Sequence, residues 1–222
     1  IAADGVNSTT RSMVFGQDTR LEYVGNVCWR LIVENTCNVN EWTVMLGEDR
    51  SLLAKPISAR ELYLYADLSV DADETARFNS ATPLLPLFAG ISGALTPALE
   101  LASEAVVHFS ELVRLQLDQW HHNRVVLIGD AAHAAPPSMA EGACLAMEDA
   151  LVLATELLAE PDIELALAQY QKRQKPRADW VHKQCAVRDK MRRLPPILRN
   201  GLLRVAGGAI YRRSYSLLKR PL

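Results

Sequence analysis

Residues 124–154, RVVLIGDAAHAAPPSMAEGACLAMEDALVLA, carry a strand, a turn and a helix in close succession. Four consecutive apolar residues, 125–128, run into Gly129 and Asp130, which is typical of a strand buried on both faces and followed by a turn. After a proline-rich turn, apolar residues recur at helical spacing, and the other side of the segment is apolar too. The pattern predicts a mostly buried helix that begins near Gly142 and ends before the next proline.

Two groups at such a junction can bind a ligand. The first turn of a helix has backbone N–H groups without intrahelical partners and a partial positive charge, so it favours anions and electron-rich carbonyls. The Asp130 carboxylate, at the end of a buried strand, suits the hydroxyl groups of a ribose or ribityl chain. A plain strand–turn–helix connection, in which Asp130 only caps the helix, explains the same residues.

The rest of the chain predicts a sheet and a helical tail. Segments rich in β-branched and aromatic residues predict a largely antiparallel sheet, with strands at 24–33, 42–46, 61–70 and 105–117. Residues 71–101 are expected to be helical and interrupted by prolines. The uncharged run 78–99 within them has the length of a membrane helix, but its prolines and glycines predict a buried loop and short helix. Asp162 can cap a further helix that runs towards Pro176.

Composition places the chain among ordinary globular proteins, with 222 residues, 49% hydrophobic and 23% charged. The net charge of -2 hides an asymmetry, because residues 1–171 carry 24 acidic and 9 basic side chains whereas residues 172–222 carry 2 acidic and 15 basic ones. We expect a basic helical tail folded onto an acidic body and no nucleic-acid partner; peripheral contact of the tail with a membrane is the alternative. Four cysteines without a CxxC pair favour a reduced, cytoplasmic protein.

Two motifs, in order, resemble those of the group A FAD-dependent aromatic-ring monooxygenases, the para-hydroxybenzoate and salicylate hydroxylase superfamily. Residues 125–154 resemble the GD motif, whose pattern is GDAAH, a proline, GxGxN or GxGxC, and EDA. Residues 3–11, ADGVNSTTR, resemble the DG motif. The likeness covers most of residues 1–180 and extends only loosely to the basic tail.

The resemblance implies an α/β fold, α+β in parts: a partial FAD-binding Rossmann-like domain with an inserted, mostly antiparallel substrate-domain sheet and a C-terminal helical tail. The expected divisions are the end of the FAD-binding domain, the substrate sheet, the returning FAD-binding strand and helix, and the tail, at 1–16, 17–117, 118–162 and 163–222. It also implies an oxidoreductase in which NADH or NADPH reduces FAD and the flavin captures O2 as a C4a-hydroperoxide. Oxygen then passes to an aromatic or similarly electron-rich small molecule, and because the flavin carries the chemistry, no side chain is assigned as catalytic.

The resemblance also assigns site residues by their position in the motifs. Asp130 would hold a hydroxyl of the FAD ribityl-phosphate region, and the backbone around Gly142 and Ala143 would point at the flavin pyrimidine edge. Asp4 would lie near the FAD pyrophosphate, where Arg11 would support it by ion pairing. The remaining predicted cofactor-binding residues are Gly129, Pro137 and Cys144. The aromatic residues predicted to line a substrate pocket, unless they simply fill a core, are Trp29, Trp42, Tyr63 and Tyr65.

The chain departs from the family pattern in two ways. Where the family usually has Gly-x-Gly, this chain has Ala140-Glu141-Gly142. Ala140 predicts a backbone that avoids positive φ, and an ionised Glu141 would oppose negative charge on a reduced flavin unless its side chain points away. The GxGxxG fingerprint for the ADP half of FAD does not occur in the chain. We therefore expect it on a region before Ile1, needed in cis or in trans.

Other functions have weaker support in the sequence. His121, His122 and His133 lack the HxxxH spacing of a metal site, so no metal is predicted, and no GxSxG nucleophile elbow of a hydrolase is present. The scaffold leaves open a flavin-dependent halogenase and an oxidoreductase that acts on isoprenoid lipids, which would agree with the basic tail. An inactive truncated remnant that binds no FAD is the non-enzyme alternative.

Overall fold

The computed structural model describes residues 1–16 and 19–221. Its helices are α1 (Thr9–Phe15), α2 (Leu84–Ser92), α3 (Thr96–Glu100), α4 (Asp130–His133), α5 (Gly142–Ala159), α6 (Ile163–Arg192) and α7 (Pro196–Ser214). Its strands are β1 (Glu22–Glu34), β2 (Thr43–Leu46), β3 (Arg50–Pro56), β4 (Glu61–Ser69), β5 (His108–Arg114), β6 (His121–His122) and β7 (Val125–Val126). This mixture of helices and antiparallel sheet confirms the predicted fold class.

The chain divides into two compact units. We call Tyr23–Leu112 with Arg192–Ile197 the sheet unit, and Ile1–Glu22 with Val113–Met191 and Leu198–Leu222 the helical unit. The four-part domain division expected from the sequence stays a prediction. Its first boundary falls at Gln17, outside the described residues.

The sheet unit is built on five strands in the order β2-β3-β4-β1-β5. The β1–β4, β2–β3 and β3–β4 pairs are antiparallel. The four strands expected from composition are present. The sequence did not predict β3, because Arg50–Pro56 contains no β-branched or aromatic residue; it is a strand because neighbours pair with it on both sides.

Helices cover one face of this sheet. Trp29 and Leu31 of β1 point to that face together with Leu64 of β4, and Phe88 and Leu99 pack on them from α2 and α3. These helices lie in the run Leu84–Ser103, which is long and apolar enough to cross a membrane by length and composition alone. The run forms short helices against the sheet, in line with the short buried helix expected there.

The helical unit is dominated by α6, which runs through Pro176 for 30 residues. The prediction that a helix would end near this proline was wrong. A proline removes a single backbone donor, whereas Tyr170, Ala178 and Val181 on its two sides are all buried in one core and hold the helix together. Asp162 caps α6 as predicted, since Oδ1 accepts hydrogen bonds from the N–H of Glu164 at 2.9 Å and of Leu165 at 3.2 Å.

The basic tail pairs with acidic residues of the same unit, as the charge asymmetry predicted. Arg177 donates from Nε and Nη2 to the two carboxylate oxygens of Glu148, each at 2.7 Å, and Arg173 pairs with Glu156 at 2.7 Å. Arg177 also donates to the carbonyl of Leu218 at 3.3 Å, which anchors the end of the chain.

The orientation of α5 differs from the prediction of a mostly buried helix. Its buried apolar residues are Leu145, Val152 and Leu153. Met147, Leu151 and Leu158, which were expected in the core, are 66%, 59% and 90% exposed. One apolar side of α5 therefore packs inward, and the other has no covering among the described residues.

Candidate functional site

The turn that follows β7 is held tightly against α5. Gly129 has φ +59° and ψ -143°, a region that is nearly restricted to glycine, and a Cβ there would lie 3.1 Å from the Cβ of Ala146. The buried Asp149 carboxylate accepts the N–H of Gly129 at 2.7 Å and contacts His133 Nε2 at 2.7 Å through the same oxygen. The sequence did not single out Asp149, although the EDA part of the motif contains it. These contacts set the direction in which the turn presents Asp130.

Beside this turn lies the N-terminus of α5, and both are open. The first intrahelical bond is donated by Leu145 to the carbonyl of Glu141 at 2.9 Å, so the N–H groups of Gly142, Ala143 and Cys144 precede it. Glu141 provides no side-chain cap. Ala143, Cys144 and Asp130 are exposed, and a Cβ built on Gly142 would lie 3.9 Å from Asp130 Oδ1. The structure thus places a carboxylate next to a helix N-terminus.

The loop before α5 departs from the expectation for Ala140. Pro137, which is exposed, begins a 3-10 turn (Pro137–Met139), and Ala140 closes it at φ +57° and ψ +29°. The prediction that the backbone would avoid positive φ at Ala140 was wrong, because the turn requires the left-handed conformation there. Burial raises the pKa of Glu141, as does the charge of Glu148, while Arg188 opposes the rise. The Glu141 carboxyl is therefore influenced by charges along α5 and α6.

The DG motif is braced to the GD motif through Arg11. Asp4 accepts hydrogen bonds from Ser8 Oγ at 2.6 Å and Thr10 N at 3.0 Å, and these bonds lower the pKa of its carboxyl. Arg11 is 4% exposed and donates to the carbonyls of Val6 at 2.8 Å and Ala131 at 3.1 Å. Burial lowers the Arg11 pKa, and the charge of Asp4 opposes this. Arg11 therefore joins the two motifs through backbone carbonyls.

A parallel backbone contact links the same two segments. Ala2 donates its N–H to the carbonyl of Val126 at 2.7 Å, and its own carbonyl accepts the N–H of Ile128 at 3.0 Å. The contact is an isolated parallel bridge between Ala2 and Leu127. Within the ranges that the structure describes, no group of three or more His, Cys, Asp and Glu side chains could hold a metal ion.

In the sheet unit, three of the four predicted pocket aromatics share the face opposite the helices. Tyr63 and Tyr65 alternate with core residues of β4, and the ring of Trp42 lies 4.7 Å from Lys55 Nζ, whose register partner is Tyr63. Trp29 lies on the helix-covered face, fully buried, with its Nε1–H donated to the carbonyl of Asn79 at 2.8 Å. The pocket prediction for Trp29 was wrong, because strand residues of opposite parity point to opposite faces.

The same open face carries charged residues that sequence reasoning missed. Arg30 is the register partner of Tyr65, is exposed, and donates from Nη2 to Ser110 Oγ at 2.7 Å. The buried Asp67 carboxylate accepts hydrogen bonds from Ser51 and Arg192. Burial raises the pKa of Tyr65 well above its usual range, and the charge of Asp67 adds to this. Successive strand residues point to opposite faces of the sheet. Counting in steps of two along β1 and β4 could therefore have placed Arg30 and Asp67 on this face.

Comparisons with known proteins agree with these motifs. The FAD binding domain family matches residues 1–184. The chain is 32% identical over 228 residues to the 2-heptyl-3-hydroxy-4(1H)-quinolone synthase of Pseudomonas aeruginosa, covering 98% of this chain and 59% of that protein. It is 33% identical over 186 residues to the FAD-dependent urate hydroxylase of Klebsiella pneumoniae, covering 77% of this chain and 46% of that one.

A solved structure has the same fold. HpxO of Klebsiella pneumoniae, complexed with FAD and uric acid, aligns with a TM-score of 0.82 at 24% identity, over 99% of this chain and 59% of that one. The chain thus spans about half to three fifths of the length of these relatives. The chain belongs to the family of FAD-dependent aromatic-ring monooxygenases.

Proposed function

We propose that the protein is a flavin monooxygenase that uses FAD, NADH or NADPH, and O2 to hydroxylate an aromatic or similarly electron-rich small molecule. The observation that carries the proposal is the exposed Asp130 carboxylate beside the uncapped N-terminus of α5, within a motif shared with FAD-binding relatives. A carboxylate that follows a buried strand suits the hydroxyl groups of a cofactor, and free N–H groups at a helix terminus suit its electron-rich carbonyls.

The residues present fit FAD. FAD supplies the redox chemistry when bound, since it takes up electrons from the nicotinamide cofactor and activates O2. Asp130 would accept a hydrogen bond from a ribityl hydroxyl, and the N–H groups of Gly142 and Ala143 would donate to a flavin carbonyl. Asp4 keeps its negative charge because Ser8 and Thr10 hydrogen-bond to it. Arg11 would hold these two regions in register.

Additional members of the proposed cofactor site are Gly129, Pro137 and Cys144. Gly129 acts through the turn that aims Asp130, and Cys144 contributes the third N–H of the helix terminus. Ala140 and Glu141 are the two positions at which this chain departs from the family pattern, and we expect them to affect flavin reduction. The raised pKa of Glu141 weakens the charge that would oppose a reduced, anionic flavin.

For the substrate, we propose the open face of the sheet unit. Tyr63, Tyr65 and Trp42 offer aromatic surface, and Arg30 offers a cation beside them. Such a face suits a flat, conjugated molecule with an acidic or electron-rich group. Uric acid and 2-aminobenzoylacetate, with which the related structures of HpxO and PqsL are complexed, have this character.

A lipophilic substrate is a second candidate because of β2. Val44 and Leu46 of this edge strand are 49% and 38% exposed, and Trp42, which directly precedes the strand, is 60% exposed. Two relatives are named as a 2-heptyl-3-hydroxy-4(1H)-quinolone synthase and an aurachin C monooxygenase/isomerase. Peripheral membrane contact through the basic tail stays a hypothesis; vesicle co-sedimentation that survives deletion of residues 195–222 would contradict it.

The cofactor assignment is tested by fluorescence titration of the purified chain with FAD. Asp130→Asn is expected to weaken binding about tenfold or more, because a hydrogen bond to a charged group contributes about 1.5–3 kcal/mol. Asp118→Asn, a matched change of another exposed carboxylate, should bind as the unmodified chain does. Equal affinity of both variants would contradict the assignment. No binding by the unmodified chain, even with the region that carries the ADP-binding fingerprint supplied in trans, would favour the remnant that binds no FAD.

The reaction is tested with FAD-loaded protein by following NADH or NADPH oxidation and O2 uptake. Uric acid, 2-aminobenzoylacetate and a 2-heptyl quinolone form the substrate panel. We expect a hydroxylated product from at least one of these compounds. Nicotinamide oxidation that yields only peroxide with every compound would count against hydroxylation of such molecules.

A further inference from the structure

The basic tail divides into two parts that differ in their ion pairs. Along α6, Arg173 and Arg177 pair with Glu156 and Glu148. Residues 198–222 instead carry six basic side chains and no acidic one. Five of the six are exposed and form no ion pair with a carboxylate in the described part of the chain: Arg204, Arg212, Arg213, Lys219 and Arg220. The acidic body therefore neutralises the first part of the tail and leaves the second part positively charged.

The outward side of α7 is apolar. Four exposed residues fall within a sector of about 60° at 100° per residue: Leu198, Leu202, Val205 and Ala209. We call these four residues the α7 ridge. Val205 is 90% exposed and Leu198 64%, so the ridge projects into solvent. No charged side chain lies within this sector.

Two exposed arginines follow the α7 ridge at the end of the helix. Arg212 and Arg213 lie about 20° outside its two edges, one on each side. The other side of this end is fixed to the helical unit, because Trp180 donates its Nε1–H to the carbonyl of Ser214 at 2.9 Å and Arg188 donates to Ser214 Oγ at 3.2 Å. These contacts hold α7 so that the apolar ridge and the two cations face outward.

The charge of α7 decides between possible partners. A second copy of the chain would bring one α7 against another, and α7 has no acidic residue to offset the repulsion between their arginines. A partner with negative charge fits instead. An aliphatic line with arginines beside it is typical of a helix that lies in the plane of a membrane interface. There the apolar side chains enter the acyl boundary, and the long arginine side chains reach the headgroups.

We infer that the α7 ridge is a membrane-binding surface and that its partner is a bilayer containing anionic lipids. The ridge enters the boundary between headgroups and acyl chains, while Arg212 and Arg213 contact the lipid phosphates. The inference does not rest on the proposed function, since the ridge contains none of the residues assigned to FAD or to substrate. Binding of this kind would bring the protein to lipophilic molecules that dissolve in a bilayer.

The inference is tested by co-sedimentation of the unmodified chain with two kinds of vesicle, without added flavin. One kind is phosphatidylcholine alone, and the other contains about one third phosphatidylglycerol. We expect binding to the anionic vesicles to be roughly tenfold stronger or more, because each Lys or Arg near an anionic surface adds to the affinity. This binding should weaken as the salt concentration rises, since salt screens the arginines.

Variants of the α7 ridge test its apolar contribution. Leu202→Glu/Val205→Glu should bind the anionic vesicles at least tenfold more weakly. The matched control is Leu165→Glu/Val187→Glu on α6, where the two replaced residues are 48% and 43% exposed and the change in net charge is the same. This control should bind nearly as the unmodified chain does.

A second pair of variants tests the cations. Arg212→Gln/Arg213→Gln leaves the ridge unchanged and should bind the anionic vesicles at least tenfold more weakly. Lys172→Gln/Lys183→Gln removes two exposed charges from α6 and should bind nearly as the unmodified chain does. Far-ultraviolet circular dichroism verifies that each variant is folded.

Several results would overturn the inference. These are failure of the unmodified chain to bind anionic vesicles, equal binding to both kinds of vesicle, or equal effects of an α7 variant and its control. The first result would leave an acidic protein as the partner that fits these charges. A dimer without vesicles that Leu202→Glu/Val205→Glu dissociates would assign the α7 ridge to a second copy instead. Because no flavin is present, these failures are distinct from failure of the proposed function, which the FAD titration of Asp130→Asn tests.

Discussion

Replacing Ala140 by glycine is expected to stabilise the helical unit. Ala140 adopts φ +57° and ψ +29° and donates its N–H to the carbonyl of Pro137 at 2.9 Å, so the turn holds it in the left-handed region. Its side chain is exposed, and removal of the methyl group therefore uncovers no core. The substitution also introduces the glycine that the family pattern has at this position.

The size of the effect follows from two opposing contributions. The left-handed conformation costs an L-residue about 1–2 kcal/mol. Glycine loses more backbone freedom than alanine when it is ordered, which costs about 0.5–1 kcal/mol. Ala140→Gly should therefore raise the free energy of unfolding by about 0.5–1 kcal/mol. For a chain of this length the corresponding rise in Tm is about 1–4 °C.

The assay is urea denaturation followed by far-ultraviolet circular dichroism. Ala150→Gly is the matched control, because it removes the same exposed methyl group from the middle of α5. There glycine should lower the free energy of unfolding by about 1 kcal/mol. If Ala140→Gly destabilises the protein as much as Ala150→Gly does, the left-handed conformation at Ala140 is refuted.

Three further predictions concern the helical unit. Gly129→Ala should lower the free energy of unfolding by about 2 kcal/mol or more, because the new Cβ would lie 3.1 Å from the Cβ of Ala146 and because the backbone conformation at this position is nearly restricted to glycine. An unchanged thermal unfolding curve would contradict this. Glu148→Gln should lower the free energy of unfolding, measured with denaturant, by about 2 kcal/mol, because it removes the bidentate ion pair with Arg177. An unchanged free energy of unfolding would show that this ion pair does not stabilise the protein. Burial lowers the pKa of His182 below 6.5, the value expected in the unfolded chain. The unfolded chain therefore takes up a proton at His182 before the folded protein does, and the free energy of unfolding decreases as the pH falls below 6.5. His182→Gln should reduce the loss of Tm between pH 7 and pH 5, and an identical loss would exclude His182 as its source.

Much of the candidate site could be predicted because its parts are close in the chain. Asp130 and Gly142 are twelve residues apart, and the strand, turn and helix that join them have distinct local patterns. The strands β1, β2 and β4 were predictable for the same reason. Local composition could not reveal β3, whose residues form a strand only through pairing with both neighbours.

By itself the sequence determined the family, its two motifs and most of the strands and helices, because these depend on short stretches of residues. Only the tertiary structure decided that Trp29 lies on the helix-covered face of the sheet and Tyr65 on the opposite face. Alternation along a strand separates the two faces but does not show which one the helices will cover. It alone joined Arg11 to Ala131, 120 residues away. It also decided which side of α5 is buried, because two apolar sides compete for one core and the packing partners are distant in the chain.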